Sequence, residues 1–173
     1  MAALCKDMIM ATEIERKFLV KDDSWREAAD AGTAYRQGYL VGAKQASVRV
    51  RIEGDAARLN IKSATLGVTR QEYEYAIPLA DAAALLDTLC EKPLIEKVRH
   101  HVHFGGRVWE VDVFAGDNAG LVVAEVELEA EDAPLQLPPW AGREVSHEPR
   151  YYNVCLVQHP YKNWTADERR TLD

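Results

Sequence analysis

Alternating charged side chains recur along this chain and could together bind a polyanion and a metal ion. The stretch TEIERKFLV places Glu13, Glu15 and Lys17 at alternate positions, which share one face if the stretch is a β-strand. The stretch SVRVRIE places Arg49 and Arg51 on one face in the same way. On a single strand such a face is simply solvated, because charged side chains usually stay in water. Its recurrence on many strands favours a shared site.

The proposed shared face carries both signs of charge. Its basic members are Lys17, Arg49, Arg51, Lys62, Arg70, Lys97 and Arg99. Its acidic members are Glu13, Glu15, Glu72, Glu74, Glu110, Asp112, Glu125 and Glu127. Burying unpaired charges is costly, so we expect a water-filled interior in which cations bind a polyanion and carboxylates bind a hard metal ion. The alternative is an ordinary half-exposed sheet with cross-strand ion pairs.

Phosphoryl transfer is a reaction that this set could perform, because it requires neutralised phosphate charge and a positioned water. The candidate metal ligands are Glu13, Glu15, Glu125 and Glu127. Arg49 and Arg51 can each donate two hydrogen bonds to a phosphate, whereas lysines act as mobile point charges. Arginine is not a base at neutral pH. The proton acceptor therefore stays open among a water activated by the metal, a glutamate and a lysine of lowered pKa.

The alternation predicts a mostly antiparallel β-protein. Strand-like runs are TEIERKFLV, YRQGYLV, SVRVRIE, RLNIKS, RQEYEYAI, EKVRHHVHF, VWEVDVF and VAEVELE. Turn signals such as EGD, FGGR and AGDNAG separate several of them, as in hairpins. PLADAAALLDTLCEK has one apolar helical face and is predicted as a helix capped by Asp81, and DDSWREAADAG as a shorter helix ending at Gly32. We expect an α+β fold, an eight-stranded antiparallel β-barrel tunnel with a charged interior and helices packed on its outside.

Composition sets the class of protein. The 173 residues, 47% hydrophobic and 28% charged, suit one domain with a real core. Three widely spaced cysteines argue against a disulfide framework and favour a cytoplasmic protein. The net charge of −7 argues against nucleic-acid binding, and the absence of a long apolar run against a membrane protein. We expect a mobile leader (1–11), one domain (12–159) and a polar tail (160–173).

The ordered motifs EIERKFLV, RQGYL, VRVR, LNIKS, TRQEYEY, EKVR, EVDVF and AEVELE resemble the CYTH superfamily of triphosphate tunnel metalloenzymes. The resemblance runs from Thr12 to about Leu156 and is closest to the short bacterial inorganic triphosphatases. It implies a tunnel that binds triphosphate compounds with Mg²⁺ or Mn²⁺.

The resemblance also implies roles for individual residues. Glu13, Glu15, Glu125 and Glu127 would serve the metal, with Asp112 as a further carboxylate of the same face. Lys17 and Tyr39 match positions with catalytic or orienting roles, and Lys97 is another candidate for such a role. The residues expected to bind phosphates are Arg49, Arg51, Lys62, Arg70, Arg99 and Arg150.

Hydrolysis of tripolyphosphate to pyrophosphate and phosphate is the predicted activity. The alternatives are a class IV-type adenylate cyclase, a nucleoside or thiamine triphosphatase, and a non-catalytic sensor of polyphosphate or nucleotide. The segment EPRYYNVCLVQ, which contains Arg150, is predicted to form a short helix against or across one tunnel mouth. His100, His101 and His103 are interpreted as hydrogen-bonding side chains and not as a metal cluster. Exposed sheet faces favour a homodimer.

Overall fold

A computed structural model of the chain describes residues 11–42, 46–63 and 69–170. Within these ranges the side chains of residues 11–13, 41–42, 69–70 and 170 are also left undescribed. The predicted leader therefore lies outside the described residues, apart from Ala11, which begins the first strand.

Within the described residues, nine strands form one antiparallel sheet. They are β1 (Ala11–Val20), β2 (Thr33–Gly42), β3 (Ala46–Glu53), β4 (Ala56–Ser63), β5 (Thr69–Ala76), β6 (Ile95–Phe104), β7 (Arg107–Phe114), β8 (Val122–Glu127) and β9 (Ala141–Glu144). The order of neighbours is β5-β4-β3-β2-β6-β7-β8-β1-β9, and β5 also pairs with β1. The first eight strands are thus hydrogen-bonded in a ring, as the sequence predicts, and β9 is an addition that the sequence did not indicate.

Strand β1 connects the two ends of this ring because its two edges pair with different strands. Residues 11–14 pair with β5, and residues 15–19 pair with β8. The end of the strand also pairs with β9, where Phe18 lies opposite Glu144. Glu15 and Lys17 are therefore held by hydrogen bonding to strands from distant parts of the chain.

Helices and short helical turns cover the ring. The α-helices are α1 (Leu79–Thr88), α2 (Asn153–Gln158) and α3 (Ala166–Arg170), and the 3₁₀ turns are Asp23–Ala28, Gly116–Asn118, Pro149–Tyr151 and Tyr161–Asn163. The predicted Asp81 cap is wrong, because α1 begins two residues earlier, directly after Pro78, and has no side-chain cap. Proline suits this position, since a helix start needs no amide hydrogen bond there.

The second predicted helix is shorter and tighter than expected. It is a 3₁₀ turn that Asp22 caps at its start through the Ser24 amide and that ends at Ala28. Gly32 lies beyond its end and adopts a positive φ of 77° in the turn into β2. A Cβ at Gly32 would also meet the His100 ring at 2.5 Å, so both backbone conformation and space require glycine there.

In the described part of the chain, three apolar clusters hold the strands and helices together. One packs α1 against the outside of the ring and includes Val50, Ala82 and Leu86. Another, built around Trp25 and Trp109, covers the outer side of β1, β7 and β8. These outward residues alternate with the charged positions, which leaves the charges inside the ring.

The third cluster fills part of the ring interior at one end. Its members include Leu19, Ile95 and Val123, which follow the inward alternation of their strands, together with Leu156 and Val157 of α2. The EPRYYNVCLVQ segment therefore packs against this end, as predicted. Among the described residues, no helix is long and apolar enough to cross a membrane.

Candidate active site

The ring encloses a cavity of about 700 Å³. Its inward side chains come from β1 to β8, and residues from Pro149 to Gln158 line it at the α2 end. Of the predicted site residues, the ones that line it are Glu15, Lys17, Tyr39, Arg49, Arg51, Lys62, Lys97, Arg99, Glu125 and Glu127. The structure therefore brings these predicted residues together around one cavity.

Charges of opposite sign occupy opposite halves of the ring. Strands β4, β3, β2 and β6 form a basic half, whose charged cavity-lining side chains are Lys62, Arg49, Arg51, Lys97 and Arg99. Strands β7, β8, β1 and β5 form an acidic half, which contributes Glu110, Glu125, Glu127, Glu15, Glu72 and Glu74. In this half Lys17 and Arg107 are the cations among the described lining residues. A polyanion and a metal ion would thus find separate walls of one cavity.

In the basic half, cations of β3 and β4 contact carboxylates of β5 and the carboxylate at the end of β3. Arg51 Nη2 lies 3.0 Å from Glu74 and 3.0 Å from Glu53, and Lys62 Nζ lies 3.2 Å from Glu72. The amide of Asn60 donates to both Glu72 and Glu74, at 2.8 and 2.6 Å. A bound polyanion would compete with these carboxylates for the same cations.

Lys17 is ion-paired inside the acidic half. Its Nζ lies 2.7 Å from Glu125 and 4.0 Å from Glu15. Burial alone would lower the pKa of Lys17, but the two carboxylates outweigh burial and raise it. Lys17 is therefore a fixed positive charge at neutral pH. Lys17 and Arg99 together hold the pKa of Glu125 well below its usual value, against the effect of burial.

Lys97 differs from Lys17 because burial prevails. Its pKa is lowered from 10.5 to about 8, first by burial and then by the neighbouring Arg99. Asp112, which contacts Lys97, opposes this shift but shares its charge with Arg99. Arg99 binds both carboxylate oxygens of Asp112 at 2.7 Å. The pKa of Lys97 thus lies closer to neutral pH than that of an ordinary lysine.

Asp112, predicted as a metal ligand, has a different place. It is completely buried, does not line the cavity, and accepts hydrogen bonds from Lys97 and Arg99. Its position fits a role in holding Lys97 and Arg99 in place from the side away from the cavity. The sequence alternation gave its side correctly but could not give its depth.

The remaining predicted metal ligands differ in their surroundings. Glu15 and Glu127 are direct cross-strand partners that both line the cavity, so their carboxylates project side by side. Glu125 is engaged by Lys17 and by Arg99, which lies 2.5 Å away. Among the described side chains no group of three His, Cys, Asp or Glu residues is arranged for a metal. The side chains of Glu13 and Arg70 lie outside that set, although their backbones pair directly.

Tyrosines also line the cavity. Tyr39 is 4% exposed, and burial raises its pKa despite the positive charges of Arg49, Lys62 and Lys17. Tyr35 was not predicted, although it shares the inward alternation of Gln37 and Tyr39 on β2. Its ring lies 5.4 to 5.8 Å from the cationic groups of Arg51, Lys97 and Arg99. Such contacts help to hold the cations in place.

Arg150, predicted to contact phosphate, does not line the cavity among the described residues. Its guanidinium lies over the rings of Tyr151 and Trp164 and 2.9 Å from Glu148. Trp164 is itself buried, so part of the predicted polar tail belongs to the packed structure. Arg150 therefore has a packing role in this arrangement. The neighbouring Tyr152 lines the cavity instead, with Lys17 Nζ 5.6 Å from its ring centre.

Comparisons with known proteins agree with this geometry. A family model described as CYTH domain matches residues 11–154. An inorganic triphosphatase of Acetivibrio thermocellus is 50% identical over 155 residues, which cover 90% of this chain and 99% of that protein. An inorganic triphosphatase of Nitrosomonas europaea is 37% identical over 150 residues, 84% of this chain and 97% of that protein. The crystal structure of the inorganic triphosphatase NE1496 is 36% identical, with a TM-score of 0.63 over 86% of this chain and 95% of that one.

Proposed function

Because this chain belongs to the CYTH domain family, we propose that it is a metal-dependent hydrolase that cleaves tripolyphosphate to pyrophosphate and phosphate. The observation that carries the proposal is the division of one cavity into a basic half and an acidic half. A linear polyphosphate has charge along its whole length, so it can contact several of the cations at once.

The carboxylates available in the acidic half fit a hard divalent cation. Mg²⁺ needs only one or two protein carboxylates, because waters and phosphate oxygens complete its octahedron. Glu15 and Glu127 satisfy this requirement as adjacent oxygen donors on the cavity wall. A bound Mg²⁺ or Mn²⁺ would neutralise phosphate charge and polarise the phosphoryl group under attack.

The protein side chains then bind and orient the substrate. Arg49 and Arg51 present forked donors from β3, and Lys97 and Arg99 present charges from β6. Charge that accumulates on phosphoryl oxygens as the bond breaks is stabilised by these fixed cations. Lys17, on the opposite wall beside Glu125, is placed to contact an oxygen that faces the metal-binding side.

Lys97 gains charge when the substrate binds. Its pKa is about 8 in the free protein, and a polyanion beside it favours the protonated form. Lys97 is thus a cation of the bound complex, which argues against Lys97 as the base that removes a proton from water.

Selectivity for tripolyphosphate over ATP follows from how the aromatic side chains are used. Reading a nucleobase usually requires an accessible aromatic face. The Tyr35 ring is already in contact with cations, Tyr39 is nearly buried, and Tyr152 faces Lys17. ATP would place its adenosine beside lysines and arginines that a third phosphate of tripolyphosphate could contact. The positive charges of these side chains would then be unpaired.

Phosphate release from a substrate panel tests the proposal. The panel contains tripolyphosphate, ATP, thiamine triphosphate and pyrophosphate, each with Mg²⁺ and with Mn²⁺. We expect kcat/KM for tripolyphosphate to exceed that for ATP by about 100-fold or more, which is roughly 2.7 kcal/mol. Equal efficiency on ATP, or cyclic AMP among the products, would favour a nucleotide-using enzyme, and no turnover of any compound would favour a sensor.

We also propose a cytoplasmic location, since both described cysteines, Cys90 and Cys155, are free thiols. A homodimer through exposed sheet faces stays a prediction that light scattering can test.

A further inference from the structure

Strand β2 stands at the centre of the basic half, between the arginines of β3 and the cations of β6, yet its own cavity-lining side chains carry no charge. They are Tyr35, Gln37 and Tyr39. Gln37 is the member of this group with an amide. Its backbone partners are Arg51 on β3 and Ile95 on β6, the residue two before Lys97. Gln37 therefore lies between the two cationic strands.

The amide nitrogen of Gln37 has no hydrogen-bond partner, although Gln37 is only 1% exposed. Leaving a buried donor without an acceptor is costly, so native proteins rarely keep one that has no use. The Nε atoms of the adjacent Arg49 and Arg51 are also buried and without a partner. Three N–H donors without acceptors thus occur on two neighbouring strands of the same cavity wall.

Asn60 provides a contrast within the same ring. It is a buried amide on β4, but its nitrogen donates to Glu72 and Glu74. Asn60 does not line the cavity. The two amides therefore differ in their use: Asn60 binds carboxylates of the free protein, whereas Gln37 lines the cavity and its buried donor has no acceptor.

We propose that Gln37 is a substrate-binding residue whose amide donates a hydrogen bond to a phosphate oxygen of tripolyphosphate, beside Arg49 and Arg51. This assignment rests on the proposed function. The Arg51 guanidinium lies against Glu53 and Glu74 in the free protein. A phosphate that attracts this guanidinium away from the carboxylates exposes the Gln37 amide. The phosphate oxygens can then accept hydrogen bonds from the donors that have no acceptor in the free protein.

A neutral donor at this position has a physical advantage over another cation. A further positive charge between Arg51 and Lys97 would repel both, whereas an amide adds a hydrogen bond without adding charge. The amide also gives direction, because its N–H groups lie in a fixed plane. Gln37 would thereby add a directed contact to a phosphate that the forks of Arg49 and Arg51 also orient.

The test compares Gln37→Leu and Gln37→Glu with the wild type. Gln37→Leu removes the donor at similar volume, and we expect kcat/KM for tripolyphosphate to fall about 10- to 100-fold, the loss of one hydrogen bond to a charged acceptor. The melting temperature should stay level or rise, because an unpaired buried donor has been removed. Gln37→Glu keeps the shape and should lose more activity, because its carboxylate repels phosphate.

Asn60→Leu is the matched control. It removes an amide that is paired in the free protein, so its melting temperature should fall, unlike that of Gln37→Leu. If Gln37 were only a structural residue, Gln37→Leu would lose stability as Asn60→Leu does. That result, or unchanged kcat/KM in Gln37→Leu, would overturn the assignment.

Calorimetric titration with tripolyphosphate in EDTA separates this inference from the proposed function. A wild type that binds tripolyphosphate in EDTA but hydrolyses none when Mg²⁺ or Mn²⁺ is supplied refutes the proposed hydrolysis. Equal dissociation constants for the wild type and Gln37→Leu refute the role of Gln37, whatever the activity. We expect the dissociation constant of Gln37→Leu to be about 10-fold or more above that of the wild type.

Discussion

Raising the pH should weaken substrate binding through Lys97. The pKa of this lysine is lowered from 10.5 to about 8 by burial and by Arg99. In the free protein Lys97 is therefore mostly charged at pH 7 and mostly neutral at pH 9. A bound polyanion returns its pKa toward the ordinary value. The complex keeps the proton at both pH values, and at pH 9 it must take that proton from solution.

The size of the effect follows from these two values. At pH 9 a group of pKa 8 is protonated in roughly one molecule in eleven, whereas the complex is almost fully protonated. The dissociation constant should therefore rise about tenfold between pH 7 and pH 9, equivalent to about 1.4 kcal/mol. The sign for folding is separate. Because the unfolded chain holds more protons than the folded one between pH 8 and 10.5, Lys97 makes stability rise with pH in that window.

Titration calorimetry at pH 9, in two buffers of different ionisation enthalpy and without metal, measures the protons taken up. Tripolyphosphate exchanges protons of its own, so Lys97→Met serves as the control and its value is subtracted. This variant should fold, since Arg99 still binds both oxygens of Asp112. A wild type whose proton uptake equals that of Lys97→Met, or whose affinity does not change with pH beyond the change in the control, would refute this account.

Two substitutions test the walls of the cavity. Glu127→Gln should lower kcat by about 100-fold or more and shift the metal titration to higher concentration, because a charged donor is lost at an electrostatic site; unchanged activity and metal titration would remove Glu127 from the site. Arg51→Ala should cost roughly 2–4 kcal/mol in kcat/KM while the melting temperature changes little, because Arg58 also contacts Glu53 and Glu74. An Arg51→Ala protein that unfolds, with full activity in the folded fraction, would mean that this arginine serves structure alone.

The strands and the direction of their side chains could be predicted because a charged face and an apolar face alternate with a period of two residues. The same alternation placed Tyr35 beside Gln37 and Tyr39, so its presence in the cavity could have been predicted from the sequence. Strand β9 gave no such signal, since AGRE is short and its place is fixed by pairing with β1. The N-terminus of α1 was also misplaced, because Asp81 suits either a cap or the first turn.

How deeply each inward side chain is buried within the ring could not be predicted from the sequence. Alternation gives Asp112 and Glu110 the same side, yet Asp112 is fully buried and Glu110 lines the cavity. The division of charge into two halves depends on which strands become neighbours, and therefore on β1 joining β5 to β8. Arg150 looked like a phosphate contact because it precedes a segment at the cavity, but its side chain turns to Tyr151 and Trp164.

The position of β1 between β5 and β8 also bears on how the protein is made. On the ribosome, the hairpins from β2 to β5 can form early, and with them the part of the basic half that lies on β2, β3 and β4. The first strand to emerge must wait for β8, whose Glu127 pairs with Glu15 more than 100 residues later. Until then the edge of β1 that faces β8 and the open edge of the growing sheet have no partners, and such edges promote association between chains. Closure of the ring thus comes late. It is also expected to be slow, because it pairs residues that are far apart in the sequence. Ring closure is therefore also the event that brings the acidic half opposite the basic half.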